Sequence, residues 1–117
     1  MTDLKPQPTM VDFQQYIADV CKERGWDVRT PMEKMVLMTE EVGEVAEALR
    51  REAGIGSKKP DNTDHLAEEL VDVFNYLCDI ANDFHIDLEQ AFRDKWKKNA
   101  SRSWEGHPAP TAKERDL

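Results

Sequence analysis

The segment MTEEVGEVAEAL, residues 38–49, sets Glu40, Glu41, Glu44 and Glu47 among apolar residues with no Lys or Arg between them. On a helix these like charges fall within a few turns of one another and repel. A second acidic pair, Glu69 and Asp72, repeats the three-residue spacing in EELVD. Carboxylates gathered at a half-buried edge are costly unless something neutralises them. A hard divalent cation with oxygen ligands does so. Mg²⁺ is the usual one, and Mn²⁺ can replace it.

The elements that must position these pairs follow from capping and apolar spacing. Thr30 as N-cap, Pro31 in the first helical position and Glu33 completing a Thr-x-x-Glu box mark the start of a helix. Met35, Met38, Val42, Val45 and Leu49 alternate three and four apart, which predicts one buried seam running to about Arg51. A further helix, with Asn62, Thr63 or Asp64 as cap, repeats the spacing at Leu66, Leu70, Val73, Leu77, Ile80 and Phe84. Glu41 and Glu44 immediately precede seam residues Val42 and Val45; Glu69 and Asp72 immediately precede Leu70 and Val73. Packing the two seams together predicts that all four carboxylates converge. Spacing alone fits a solvated acidic face equally well. Two details favour convergence. The pair occurs at the same seam phase on both helices, and Gly43, at a cost of roughly 1 kcal/mol against Ala inside a helix, leaves room for another backbone or a ligand.

Two more helices complete the chain. Thr9 caps a first one with apolar residues at Met10, Phe13, Ile17 and Val20 or Cys21, running to about Arg24 and stopped by Gly25. The segment RGWDVRTP then forms a loop carrying Trp26, and AGIGSKKPDNTD a flexible one. Asp87 as N-cap, with Gln90 at N3 and Ile86 able to staple onto Ala91, opens the last helix, which continues to about Arg102. There Lys95, Asn99 and Arg102 share one face at i, i+4 and i+7. A basic face beside a metal-loaded acidic one suits a polyphosphate; Lys97 and Lys98 read as solvated. The expected organisation is a loose arm at 1–8, a helical domain at 9–104 and a disordered tail at 105–117. The fold class is all-α, a four-helix bundle.

Composition narrows the classes. The 117 residues suit one domain, and a net charge of −8 disfavours a polynucleotide partner. Cys21 and Cys78 read as reduced, buried thiols. No stretch is apolar enough for a membrane span and the start lacks a signal-peptide core, so a cytoplasmic location is expected. A di-iron bundle needs Glu-x-x-His on two helices, but His65, His85 and His107 follow Asn62, Asn82 and Trp104 at that spacing. Calcium-loop and Walker patterns are absent, as is a Ser-His or Cys-His site.

EEVGE (Glu40–Glu44) followed by EELVD (Glu68–Asp72) resembles the EExxE…ExxD signature of MazG-type nucleotide pyrophosphohydrolases, in the all-α NTP pyrophosphatase superfamily. KWKKN with Arg102 resembles the family's Lys-x-x-x-Asn and following Arg. The likeness runs over roughly residues 10–104 and is greatest to the small dCTP pyrophosphatase branch. It implies Mg²⁺-dependent hydrolysis of a nucleoside triphosphate between the α and β phosphates, in nucleotide-pool house-cleaning. It also implies a homo-oligomer, a tetramer favoured over a dimer. By the resemblance, Glu41, Glu44, Glu69 and Asp72 bind the metal, and Lys95, Asn99 and Arg102 contact phosphates or sugar. Tyr76 reaches the nucleotide and Trp26 stands near the base; for both, a core or lid role is the competing reading. Glu40 activates water, binds a further metal or faces solvent. The rival functions are a non-catalytic helical module using the acidic face, and a nucleotide sensor without turnover.

Overall fold

The computed structural model describes residues 2–56 and 63–101. The Asn62 cap, Arg102 and the 105–117 tail lie outside the described residues. Four α-helices and one 3₁₀ turn make up the described chain, with no strand among these residues. They are α1 (Met10–Glu23), the turn Trp26–Val28, α2 (Pro31–Glu52), α3 (Thr63–Asp83) and α4 (Leu88–Ser101).

Local chemistry sets the ends. Thr9 and Asp12 form a reciprocal capping box on α1, and Thr30 and Glu33 form another on α2, with Pro31 inside the first turn. Gly25, at φ 73°, takes the left-handed conformation that ends α1. At the end of α3 that conformation falls on His85 (φ 54°), while the Ile86 amide reaches back to the Ala81 carbonyl at 2.9 Å. The Asp87 carboxylate accepts from the Gln90 amide at 3.1 Å and starts α4. Ahead of α1, Lys5 pairs with Asp12 at 3.0 Å and the Thr2 hydroxyl donates to Glu23, so residues 2–9 lie along that helix.

The most extensive packing is between α2 and α3; α1 lies on α3 and on the 3₁₀ turn, and α4 lies on α1. Ile17, Cys21 and Cys78 centre the core, with Met10, Tyr16, Phe74 and Leu88 around them. Phe13 meets Phe74 edge-on at 5.5 Å. Both cysteines are buried free thiols, as their sequence context predicts, and burial pushes each up to about 11. Buried Gln14 ties α1 to the α3–α4 turn. Its amide donates to Ile86 O at 2.8 Å and its side-chain oxygen accepts from the Leu88 amide at 3.0 Å.

The predicted seams hold in part: Met38, Val45, Leu66, Val73 and Ile80 are half-buried, but the rest need correcting. Met35, Val42 and Leu49 on α2 and Leu70, Leu77 and Phe84 on α3 are 47–61% exposed. The face α2 turns inward is centred instead on Lys34, Glu41 and Ala48, each one residue, or 100°, before a predicted seam position. Cys78 and Ala81 are the fully buried positions of α3. Period fixes the spacing of an apolar stripe, but the stripe here flanks the contact rather than lying in it. The consequence for the site is direct: Glu41 faces the partner helix.

Candidate metal and nucleotide site

Glu41, Glu69 and Asp72 come together between α2 and α3, each offering a carboxylate oxygen, with the three oxygens within 4.8 Å of one another. Among the described residues this is the one group of three acidic, His or Cys side chains so arranged. The spacing explains it. Glu69 and Asp72, three apart on α3, share a face one turn deep, and Glu41 enters from the antiparallel helix opposite. Burial, then the charges of Asp72, Glu69 and Glu44, hold the Glu41 carboxyl above its ordinary range, and Glu69 accepts a hydrogen bond from its protonated form. Negative charge is therefore concentrated in a partly dehydrated spot. That donor set, all hard oxygen, fits Mg²⁺ or Mn²⁺.

The other predicted residues sit as follows. Glu44, a 300° rotation beyond Glu41, is exposed and stands outside the three-carboxylate group, although its charge acts on Glu41. Glu40, four residues before Glu44 and so on the same side of α2, is also exposed. An added Cβ at Gly43 meets nothing within 4 Å, so within this chain no backbone makes the close approach expected there. Tyr76, half-buried, lies one turn beyond Asp72 on α3. Trp26, 38% exposed on the 3₁₀ turn, stacks with the guanidiniums of Arg24 and Arg29, 5.1 and 5.7 Å from its ring centroid. Lys95 and Asn99 lie on α4, which packs mainly on α1.

Sequence reasoning passed over two features. His65 stands one turn before Glu69 with its Nε2 3.5 Å from the carboxylate. The i, i+4 spacing was the available signal. Lys34 is buried to 1% exposure, and its ammonium meets Asp79 at 3.0 Å and both oxygens of Asp83 at 2.8 Å. Burial alone pushes this ammonium down, but the two carboxylates outweigh it and hold it above its ordinary value.

Residues 29–107 match the MazG nucleotide pyrophosphohydrolase domain. The chain is 34% identical over 102 residues to dCTP pyrophosphatase 1 of Mus musculus, covering 83% of this chain and 60% of that protein. To dCTP pyrophosphatase 1 of Homo sapiens it is 32% identical over 102 residues, with the same 83% and 60% coverage. It thus spans 60% of the length of these relatives. A smaller relative, the uncharacterised protein YvdC of Bacillus subtilis, is 26% identical over 101 residues, covering 80% of this chain and 94% of that one. The matched region holds α2, α3 and α4 with all three converging carboxylates, and the chain belongs to the MazG nucleotide pyrophosphohydrolase domain family.

Proposed function

We propose that the protein hydrolyses a nucleoside triphosphate between its α and β phosphates, releasing a nucleoside monophosphate and pyrophosphate. The observation that carries this reading is the convergence of Glu41, Glu69 and Asp72 in a chain of this family. Glu41, Glu69 and Asp72 would hold Mg²⁺ or Mn²⁺, and Glu44, exposed beside them, would be the fourth ligand. When bound, the cation polarises the phosphoryl group and lowers the pKa of a water. A carboxylate not fully taken up by the cation, Glu40 or Glu44, would accept the proton that water loses. Lys95, Asn99 and Arg102 neutralise and orient the phosphates, Tyr76 contacts the nucleotide, and Trp26 stacks near the base.

Two features support a homo-oligomer, with a tetramer favoured over a dimer. The apolar stripes on α2 and α3 are half exposed, and α4, which carries Lys95 and Asn99, packs mainly on α1 rather than on the helices that hold the carboxylates. The folded unit is taken as residues 9–104 and the location as cytoplasmic; no described helix is long and apolar enough to cross a membrane. The decisive experiment incubates the protein with single dNTPs, dCTP first because the relatives carry that name, and identifies the products. Pyrophosphate and dNMP, formed with Mg²⁺ and not in EDTA, are expected. Orthophosphate as the first product, or full activity in EDTA, overturns the reading.

A further inference from the structure

We propose that Lys34 is a positioning residue for the carboxylate site: clamped between Asp79 and Asp83, it fixes the register of α2 against α3 and so keeps Glu41 opposite Glu69 and Asp72. The inference rests on reading those three carboxylates as a cation site.

The arrangement is one of matched offsets. Lys34 stands seven residues before Glu41 on α2, and Asp79 stands seven residues after Asp72 on α3. The helices run antiparallel, since the start of α2 meets the end of α3 and their middles meet at the acidic cluster. One register therefore satisfies both contacts, and any slip at the first is the same slip at the second. The two contacts are two turns apart, about 10 Å along each axis at 1.5 Å per residue.

On α2 the buried residues are Lys34 and Ala48 alone, and a small residue such as Ala48 allows close approach without deep interlocking. The carboxylates themselves push the helices apart when no cation is bound. The ammonium, by contrast, is directional. It has three donors, and three carboxylate oxygens stand within 3.0 Å of it. The Lys34, Asp79 and Asp83 side chains are 2%, 13% and 25% exposed, so water screens the contact weakly.

The test uses the full chain and a triple variant, Lys34→Met with Asp79→Asn and Asp83→Asn. It removes the lock without leaving a buried charge unpaired, a replacement proteins often tolerate. Mg²⁺ binding is read by calorimetry and by the Mg²⁺-induced rise in melting temperature over EDTA, alongside helical circular dichroism. The expected result is a helical protein that melts in EDTA near or above the wild type, yet needs at least tenfold more Mg²⁺ for half-saturation. A merely structural role would lower the EDTA melting temperature and leave Mg²⁺ affinity of the folded protein unchanged. Should the triple variant not fold, Asp83→Asn alone, with the Asp79 contact kept, is expected to raise the Mg²⁺ requirement two- to fivefold. Folded variants with wild-type Mg²⁺ affinity overturn the positioning role alone. A wild type that binds no Mg²⁺ overturns the metal-site reading and the positioning role with it.

Discussion

At the scale of single residues, Glu41 sits among three other carboxylates. It faces α3, half-buried, with Asp72, Glu69 and Glu44 all acting on its charge. Its carboxyl is held above the ordinary 4.5, so over the window from 4.5 up to the raised value the native state binds more protons there than the unfolded chain does. Metal-free stability therefore falls as pH rises through that window, and the penalty is complete above it. In EDTA, Glu41→Gln is expected to match or exceed the wild-type melting temperature at pH 7 and to flatten this dependence. Asp72→Asn, which also removes one of the crowded charges, is expected to melt no lower than wild type in EDTA. With Mg²⁺ the order reverses. The wild type is stabilised as any ligand of the native state requires, both variants much less so, and their turnover drops by orders of magnitude. Melts with and without Mg²⁺ beside a pyrophosphate assay check this. A variant that loses stability in EDTA yet keeps turnover would remove the carboxylates from the site.

At the scale of elements, what the sequence made legible is what is local. The Thr9 cap, the Thr30–Glu33 box and the Asp87 cap all depend on residues three apart, and all are present; the Asp12 half of a box on α1 was not read from the sequence. Thr30→Ala should cost about 1 kcal/mol in denaturant melts, with helix content retained. The phase of the seams was not legible, because a three–four stripe has two flanks and the sequence does not say which one touches a neighbour. The inward line of α2 is Lys34, Glu41 and Ala48, two charged residues and one small one, whereas the apolar line beside it looked like the core. Lys34 in particular reads as surface from its type, since a buried Lys is tolerated only when paired; its partners Asp79 and Asp83 lie more than forty residues away. The carboxylate cluster was legible in part. Glu69 and Asp72 converge with Glu41 as expected, while Glu44, rotated past the contact, remains on the exposed side. The basic face of α4 is an element-scale expectation of the same kind. If Lys95 holds substrate phosphate, Lys95→Ala raises the nucleotide KM and leaves the Mg²⁺-induced stabilisation intact; an unchanged KM and kcat would make that face merely solvated.

At the scale of the whole molecule, the exposed apolar surface is the feature one chain does not explain. Met35, Val42 and Leu49 recur every seven residues along α2, and Leu70, Leu77 and Phe84 do the same along α3. Stripes at that period on two helices already packed together form a continuous face, larger in extent than the scattered apolar residues of ordinary surfaces. In the proposed homo-oligomer, a second pair of such helices would cover it by a two-fold operation, each stripe meeting its own copy. Closing it completes burial of side chains now about half exposed, a gain of about 1 kcal/mol for each. A charge in the middle of the face opposes this twice, by desolvation and by repulsion from its symmetry mate. Leu77→Asp sits at the middle of the α3 stripe and replaces none of the three converging carboxylates. It is expected to shift the mass seen by light scattering from oligomer to monomer at micromolar concentration and to lower the melting temperature. The control is Val28→Asp, 82% exposed on the 3₁₀ turn and off both stripes, which should leave the mass unchanged. If turnover needs α4 of a neighbouring chain, Leu77→Asp also loses activity, and raising its concentration restores both mass and activity together. A wild type that is monomeric at micromolar concentration, with Leu77→Asp melting as it does, would mean the stripes are simply solvated.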